Sequence, residues 1–191
     1  MIRRNTRYLA IILPVAVMLL LGCDTSPTDS DDENGDQKQT FGTTEDVQIA
    51  RAIWSSIENY QNNWDNFPGF EGWQEGNSPH GAWLKYYANP TAVNNPDQLP
   101  QGSVIIKENY PEQSEEQLGP VTVMVRIKDY DPDTYDWFWA KYLPDGSLDT
   151  NDQGVKLAGR VAKDAGGEGE HGACIGCHSG ASGGDYMFAN D

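Results

Sequence analysis

Positive charge is scarce in this chain. Thirteen lysines and arginines stand against 29 aspartates and glutamates, and the net charge is −16. A surface of that sign excludes nucleic acid as a partner, because holding phosphates takes lysine and arginine. It suits small neutral or cationic substrates and basic redox partners. Cysteine and histidine are scarcer still, at three each in 191 residues. A long apolar run is also missing. The longest, Leu9 to Leu21, covers thirteen residues, short of the roughly 20 that a bilayer span needs. There is no internal repeat, and the length suits one domain, two at most.

The apolar run follows a basic start, Arg3, Arg4 and Arg7, which is the layout of a secretory signal. It ends Leu20-Leu21-Gly22-Cys23. A small residue before a cysteine, after leucines, resembles the lipobox of bacterial lipoproteins. That resemblance implies a signal peptide over residues 1–22, cleavage before Cys23 and acylation of its thiol and amine. The protein would then sit lipid-anchored on the periplasmic side of a bacterial membrane. The competing readings are a plain signal peptide and an uncleaved anchor. Losing residues 1–22 removes three arginines and no acid, and leaves a charge of −19. Residues 24–40, DTSPTDSDDENGDQKQT, hold six acids, one lysine and no large apolar side chain. Such a stretch buries too little surface to order itself. Residues 23–40 therefore read as a lipidated acidic tether with a reach of roughly 20–25 Å. The folded domain is expected over 41–191.

Thr43 or Thr44 can cap a helix, and Glu45 and Asp46 favour its positive end. Val47, Ala50, Trp54, Ile57, Gln61 and Trp64 recur at three and four residues, which predicts a helix from about 44 to 64. Pro68 and Gly69 end any continuation. The period then changes to two. Strands are expected over 82–89, 103–110, 121–130 and 134–143, with Asp145-Gly146 as a turn after the last. Val121, Val123, Val125 and Ile127 point one way; Thr122, Met124, Arg126 and Lys128 point the other. Trp137 and Trp139 share a face and fill the core. Short strands or helical turns are expected within 155–163, and glycine-rich loops over 164–172 and 179–184. The fold class is α+β, predominantly antiparallel β-sheet, with an N-terminal helix and a C-terminal c-type haem motif.

That motif is Cys174-Ile175-Gly176-Cys177-His178, C-x-x-C-H, the attachment pattern of c-type haem in an exported protein. Two thiols at this spacing add to the two vinyl groups of one porphyrin, and the next residue falls beneath the iron. A dithiol redox site would leave His178 without a role. A zinc site would want a further strong ligand. With Cys23 assigned to lipid and Cys174 and Cys177 to haem, no cysteine is left for a structural disulfide. One motif means one covalently bound haem c, with His178 as the iron ligand. Only thirteen residues follow His178, so a distant downstream axial methionine, as in small electron carriers, is excluded. The strand patterns argue against a four-helix cytochrome.

The order of segments resembles the cytochrome P460 family and its relative cytochrome c-prime-beta. The pieces are HGAWLKYYAN, LPQGSVIIKENY, VTVMVRI, DYDPDTYDWFWAKY and CIGCHSGASGGDYMF, over roughly 80–188. The resemblance implies a mostly antiparallel sheet carrying a C-terminal haem, five-coordinate iron, a homodimer, and oxidation of hydroxylamine or handling of nitric oxide. It also implies that Lys107 bonds covalently to a haem meso carbon. Read alone, Lys107 is an exposed charge at a strand end. By alternation it shares a face with Ile105, opposite Val104 and Ile106.

Other candidates stay open between a bland role and a functional one. His80 is a turn histidine or a distal group, either proton relay or sixth ligand. His171 is placed to bond a propionate or the backbone. Met124 and Met187 read as packing before ligation. Glu108, Glu168 and Glu170 are solvated surface acids or members of a proton relay. Arg126 pairs a haem propionate or lies exposed on its strand. Three functions compete: an oxidoreductase acting on hydroxylamine or nitric oxide, a non-catalytic NO-binding cytochrome, and a simple electron-transfer cytochrome.

Overall fold

The computed structural model describes residues 40–161, 173–183 and 185–188. The expected signal peptide, the lipidation site Cys23 and nearly all of the tether lie outside these residues, as does the glycine-rich stretch around His171.

Helix α1 runs Thr44–Ile57. Its start is a capping box. The Thr43 hydroxyl accepts from Asp46 N at 3.2 Å, and the Asp46 carboxylate accepts from Thr43 N at 3.1 Å. Such a cap contributes about 1 kcal/mol. The helix is shorter than its apolar stripe predicts. The chain breaks at Glu58 and Asn59 and resumes as α2, Tyr60–Asn63. The stripe itself survives the break, since Ala50, Ile57 and Tyr60 are buried and Trp64 packs with them.

Strands β1 (Asp65–Asn66) and β2 (Gln74–Glu75) are two-residue segments. Strand β3 (Trp83–Ala88) leads through the short helix α3 (Pro90–Val93) to β4 (Val104–Tyr110). Then come β5 (Val121–Arg126), β6 (Trp137–Tyr142) and β7 (Ala158–Gly159). The short helix α4, Ala173–His178, carries the C-x-x-C-H residues. The strands form one antiparallel sheet in the order β1-β3-β4-β5-β6-β7, with β2 also pairing β3. This is the expected α+β class with β predominant.

Two strands are shorter than their patterns suggest, and backbone conformation is the reason. The β5 strand stops at Arg126, and Asp129 takes φ 62° beyond it. The β6 strand starts only at Trp137, because Tyr135 and Asp136 have φ 56° and 65°. The Asp145-Gly146 turn forms as expected: Gly146 N donates to Leu143 O and Ser147 N to Asp145 Oδ1, both at 2.9 Å.

Strand alternation divides the core in two. Ile106, Val121, Val123, Phe138, Ala140 and Tyr142 pack with Ala50 and Ile57 of α1, and the Tyr142 hydroxyl donates to Ala50 O at 2.8 Å. Ile105, Met124, Trp137 and Trp139 form a second cluster, against which Cys174 and Ile175 of α4 pack. The sheet thus presents the α1 helix with one face and the C-x-x-C-H helix with the other.

Candidate haem site

Sheet register arranges the second face in rows. Tyr86, Lys107, Thr122 and Lys141 stand side by side across β3 to β6; Ala88, Ile105, Met124 and Trp139 form the adjacent row. Above these rows α4 brings Cys174 and Cys177 onto one side of a single turn, three residues apart. His178 closes the helix. Its Nδ1 lies 2.7 Å from Tyr186 O. A carbonyl only accepts, so Nδ1 carries the proton and Nε2 is left with the lone pair that a metal takes. The ring packs among Trp139, Phe188 and His80, with centroids at 4.8, 5.4 and 6.4 Å. Burial lowers His178 to about 4 and so favours the neutral imidazole that ligation requires.

His80 comes from the loop before β3. Its Nε2 is 2.9 Å from Lys107 Nζ and its Nδ1 is 3.1 Å from Asn109 Oδ1. Burial, then the Lys107 charge, lowers His80 to about 3. Burial also holds Lys107 down to about 8, with Cys174 opposing. The Cys174 thiol is pushed up to about 11 by burial, and Lys107 pulls it back. Lys107, His80, Cys174 and His178 therefore act on one another electrostatically. The expectation that Lys107 shares a face with Ile105 matches its place in the row, and its amine also stands 5.9 Å from the Tyr86 ring.

Glu108 does not join this group. It is 0% exposed, so it is not a solvated surface acid, and it points through the sheet to the α1 side. There it accepts from Tyr60 OH at 2.6 Å, from Tyr110 OH at 2.7 Å and from Gln61 Nε2. Alternation explains the separation: neighbours on a strand face opposite ways. Arg126 lies beyond the row of Met124, donating to Tyr135 O at 2.9 Å and to Leu99 O. Met124 and Met187 are buried in the cluster beside α4. Glu168, Glu170 and His171 fall outside the described residues.

Two site residues escaped the sequence reading. Asn109 follows Lys107 by two and so shares its face; an asparagine within a strand is itself unusual. Trp139 reads from its strand face as core filling. It is 2% exposed, yet its indole Nε1 is buried with no hydrogen-bond partner. Its neighbour Trp137 is satisfied by Asp185 O at 2.7 Å.

These features fit a haem. The orphaned Trp139 donor is the kind of group that a carboxylate-bearing ligand satisfies. The wall is apolar and aromatic, and a single imidazole has its Nε2 available. Among the described residues no three His, Cys, Asp or Glu side chains gather to hold a bare metal ion. A porphyrin brings four nitrogens of its own, so His178 alone suffices.

No curated protein matches this chain. The family model for Cytochrome P460 matches residues 71–189, from the segment before β3 to the tail beyond α4 and more than half of the 191 residues. The chain belongs to the cytochrome P460 family, which implies a haem cofactor.

Proposed function

We propose that this protein is a periplasmic, membrane-anchored mono-haem c-type cytochrome that oxidises hydroxylamine, or handles nitric oxide, at an iron left open on one side. The observation that carries the reading is the meeting of Lys107 Nζ and His80 Nε2 at 2.9 Å on the sheet face that α4 covers. A basic amine and a neutral imidazole are gathered beside the iron-binding histidine, where an inert electron carrier would need only packing.

When bound, the haem supplies an iron that takes up a small nitrogen ligand and accepts its electrons. The residues of the chain divide the remaining work. Cys174 and Cys177 would fix the ring edge, each S–H adding across a vinyl double bond with no net redox change. His178 would hold the iron through Nε2, and its Nδ1–H bond to Tyr186 O at 2.7 Å raises its basicity. Lys107 is the residue that would bond to a meso carbon of the ring; such a bond would replace one N–H and one C–H, with the two electrons going to an oxidant of the peroxide class. His80 offers an acceptor for the protons that hydroxylamine oxidation releases. Arg126 spends two of its five donors on carbonyls and keeps the rest for a propionate. Glu168 and Glu170 are the carboxylates proposed for proton relay. The acyl chains on Cys23 hold the domain at the membrane, and the acidic surface suits a basic redox partner. A homodimer is the assembly proposed.

An electron-transfer cytochrome is the second reading, favoured by the 6.4 Å between the rings of His80 and His178, close enough for both to serve one iron. Adding carbon monoxide or NO to the ferrous protein tests the two. Binding supports the open site. A low-spin iron that refuses both gases supports the carrier. Proteolysis separates enzyme from NO-binding protein: a Lys107 peptide joined to the Cys174–Cys177 peptide supports the enzyme.

A further inference from the structure

Asn109 is buried, 5% exposed, and its side chain is fully engaged. One end of the amide meets two carbonyl oxygens, Lys107 O at 3.1 Å and Pro120 O at 2.7 Å. Carbonyls only accept, so that end is the NH₂ group and both its hydrogens are used. The other end is therefore the oxygen, and it faces His80 Nδ1 at 3.1 Å. An amide oxygen only accepts, so His80 Nδ1 must carry a hydrogen. In the neutral ring Nε2 is then an acceptor, and its neighbour at 2.9 Å is the Lys107 amine, a donor. Each assignment forces the next, from two backbone carbonyls to the lysine nitrogen.

The surrounding backbone is built for this contact. Gly81, beside His80, lies so close to β4 that a Cβ there would collide with the backbone N and O of Tyr110. The absent side chain lets the His80 loop lie against the end of β4, where Gly81 N also reaches Asn109 Oδ1 at 3.4 Å. On the far side Gly119 N donates to Asn109 O at 2.8 Å. The asparagine is pinned from both directions.

We propose that Asn109 is a positioning residue of this site: it locks His80 in the Nδ1–H tautomer, and the locked ring holds the Lys107 amine through Nε2. The lysine nitrogen is thereby kept at one place on the pocket face instead of sampling its flexible stem. A role confined to strand-end structure would use only the NH₂ end of the amide and would leave the histidine tautomer free. The inference rests on the haem-face reading above, but the bond between Lys107 and the ring is not needed for it.

Nitrogen-15 NMR of the histidine rings in the reduced protein under carbon monoxide tests this directly. The CO-bound ferrous iron is low-spin and diamagnetic, as is a ferrous iron held by two histidines, and three histidines make assignment tractable. The expected result is His80 with a protonated Nδ1 and an acceptor-type Nε2. Asn109→Leu loses that pattern. Nε2 protonated in the wild type, or ligated to iron, overturns the proposal. So does an unchanged tautomer in Asn109→Leu. Peptide maps of the same samples separate this from the cross-link reading. If wild-type peptides are joined, Asn109→Leu and His80→Phe lower the joined fraction by about tenfold or more, since small misplacements carry large rate costs; an unchanged fraction in both overturns the positioning role. If wild-type peptides are separate, the cross-link reading fails and the tautomer result alone decides.

Discussion

His178 and Tyr186 are joined by a 2.7 Å bond from Nδ1 to the carbonyl, and that bond decides which imidazole nitrogen is free. Tyr186 presents its carbonyl from a left-handed conformation, φ 69°. Proline, fixed near −65°, cannot take that shape. Tyr186→Pro therefore displaces the carbonyl and makes His178 a poorer electron donor. Support of this kind is worth about 10–100-fold in metal affinity. The haem reduction potential rises in the variant; an unchanged potential would show that the bond does not tune the iron.

Glu108 is a test of face. Its carboxylate serves Tyr60, Tyr110 and Gln61 on the α1 side. Glu108→Ala strands the buried Tyr60 and Tyr110 hydroxyls and lowers stability by roughly 2–6 kcal/mol, since each buried donor left unsatisfied costs about 1–3 kcal/mol. Glu108→Gln leaves the haem spectrum and turnover within experimental error. A spectral change in Glu108→Gln would place that carboxylate in the chemistry after all.

Alkali should loosen the same cluster. Burial, with Glu108 second, raises the Tyr60 hydroxyl well above its usual value, and it raises Tyr110 likewise. The folded state therefore holds these protons more tightly than the unfolded chain does. Stability is fully present below the unfolded tyrosine pKa, about 10, and falls as pH rises beyond it, because the unfolded chain ionises first. Urea midpoints followed by tryptophan fluorescence should drop above that pH, and Tyr60→Phe should flatten the drop. A slope unaffected by Tyr60→Phe would assign the loss to other groups.

Trp139 carries packing and an unpaired donor together. Trp139→Ala costs about 3–5 kcal/mol, as for other large-to-small changes in a core. Trp139→Phe keeps one six-membered aromatic ring in the core and removes the indole N–H together with the rest of the five-membered ring. In haem-free protein it loses no hydrogen bond, so its penalty in a urea titration is well under that of Trp139→Ala. Equal penalties would mean that the indole nitrogen has a partner.

Much of this architecture was legible in the residues. The alternation through Val121, Val123 and Val125 gave both faces of β5, and the same rule put Lys107 with Ile105. The cap at Thr43 was readable because a hydroxyl and an acid three residues apart satisfy each other's backbone. What escaped was local conformation or distant contact. The break at Glu58–Asn59 is invisible to periodicity because the apolar stripe continues across it. β1 and β2 are too short for any period. Glu108 reads as a surface charge until Tyr60, 48 positions earlier, comes across to meet it. His80 and Lys107 are 27 residues apart, and only the pairing of β3 with β4 unites them.

The most direct test of the account is the intact mass of denatured protein purified after expression with a working haem-maturation system, followed by a map of its peptides. The account predicts polypeptide plus one haem, with the pigment retained on the peptide holding Cys174 and Cys177. Colourless protein of bare polypeptide mass, from cells that mature other c-type cytochromes, would contradict it.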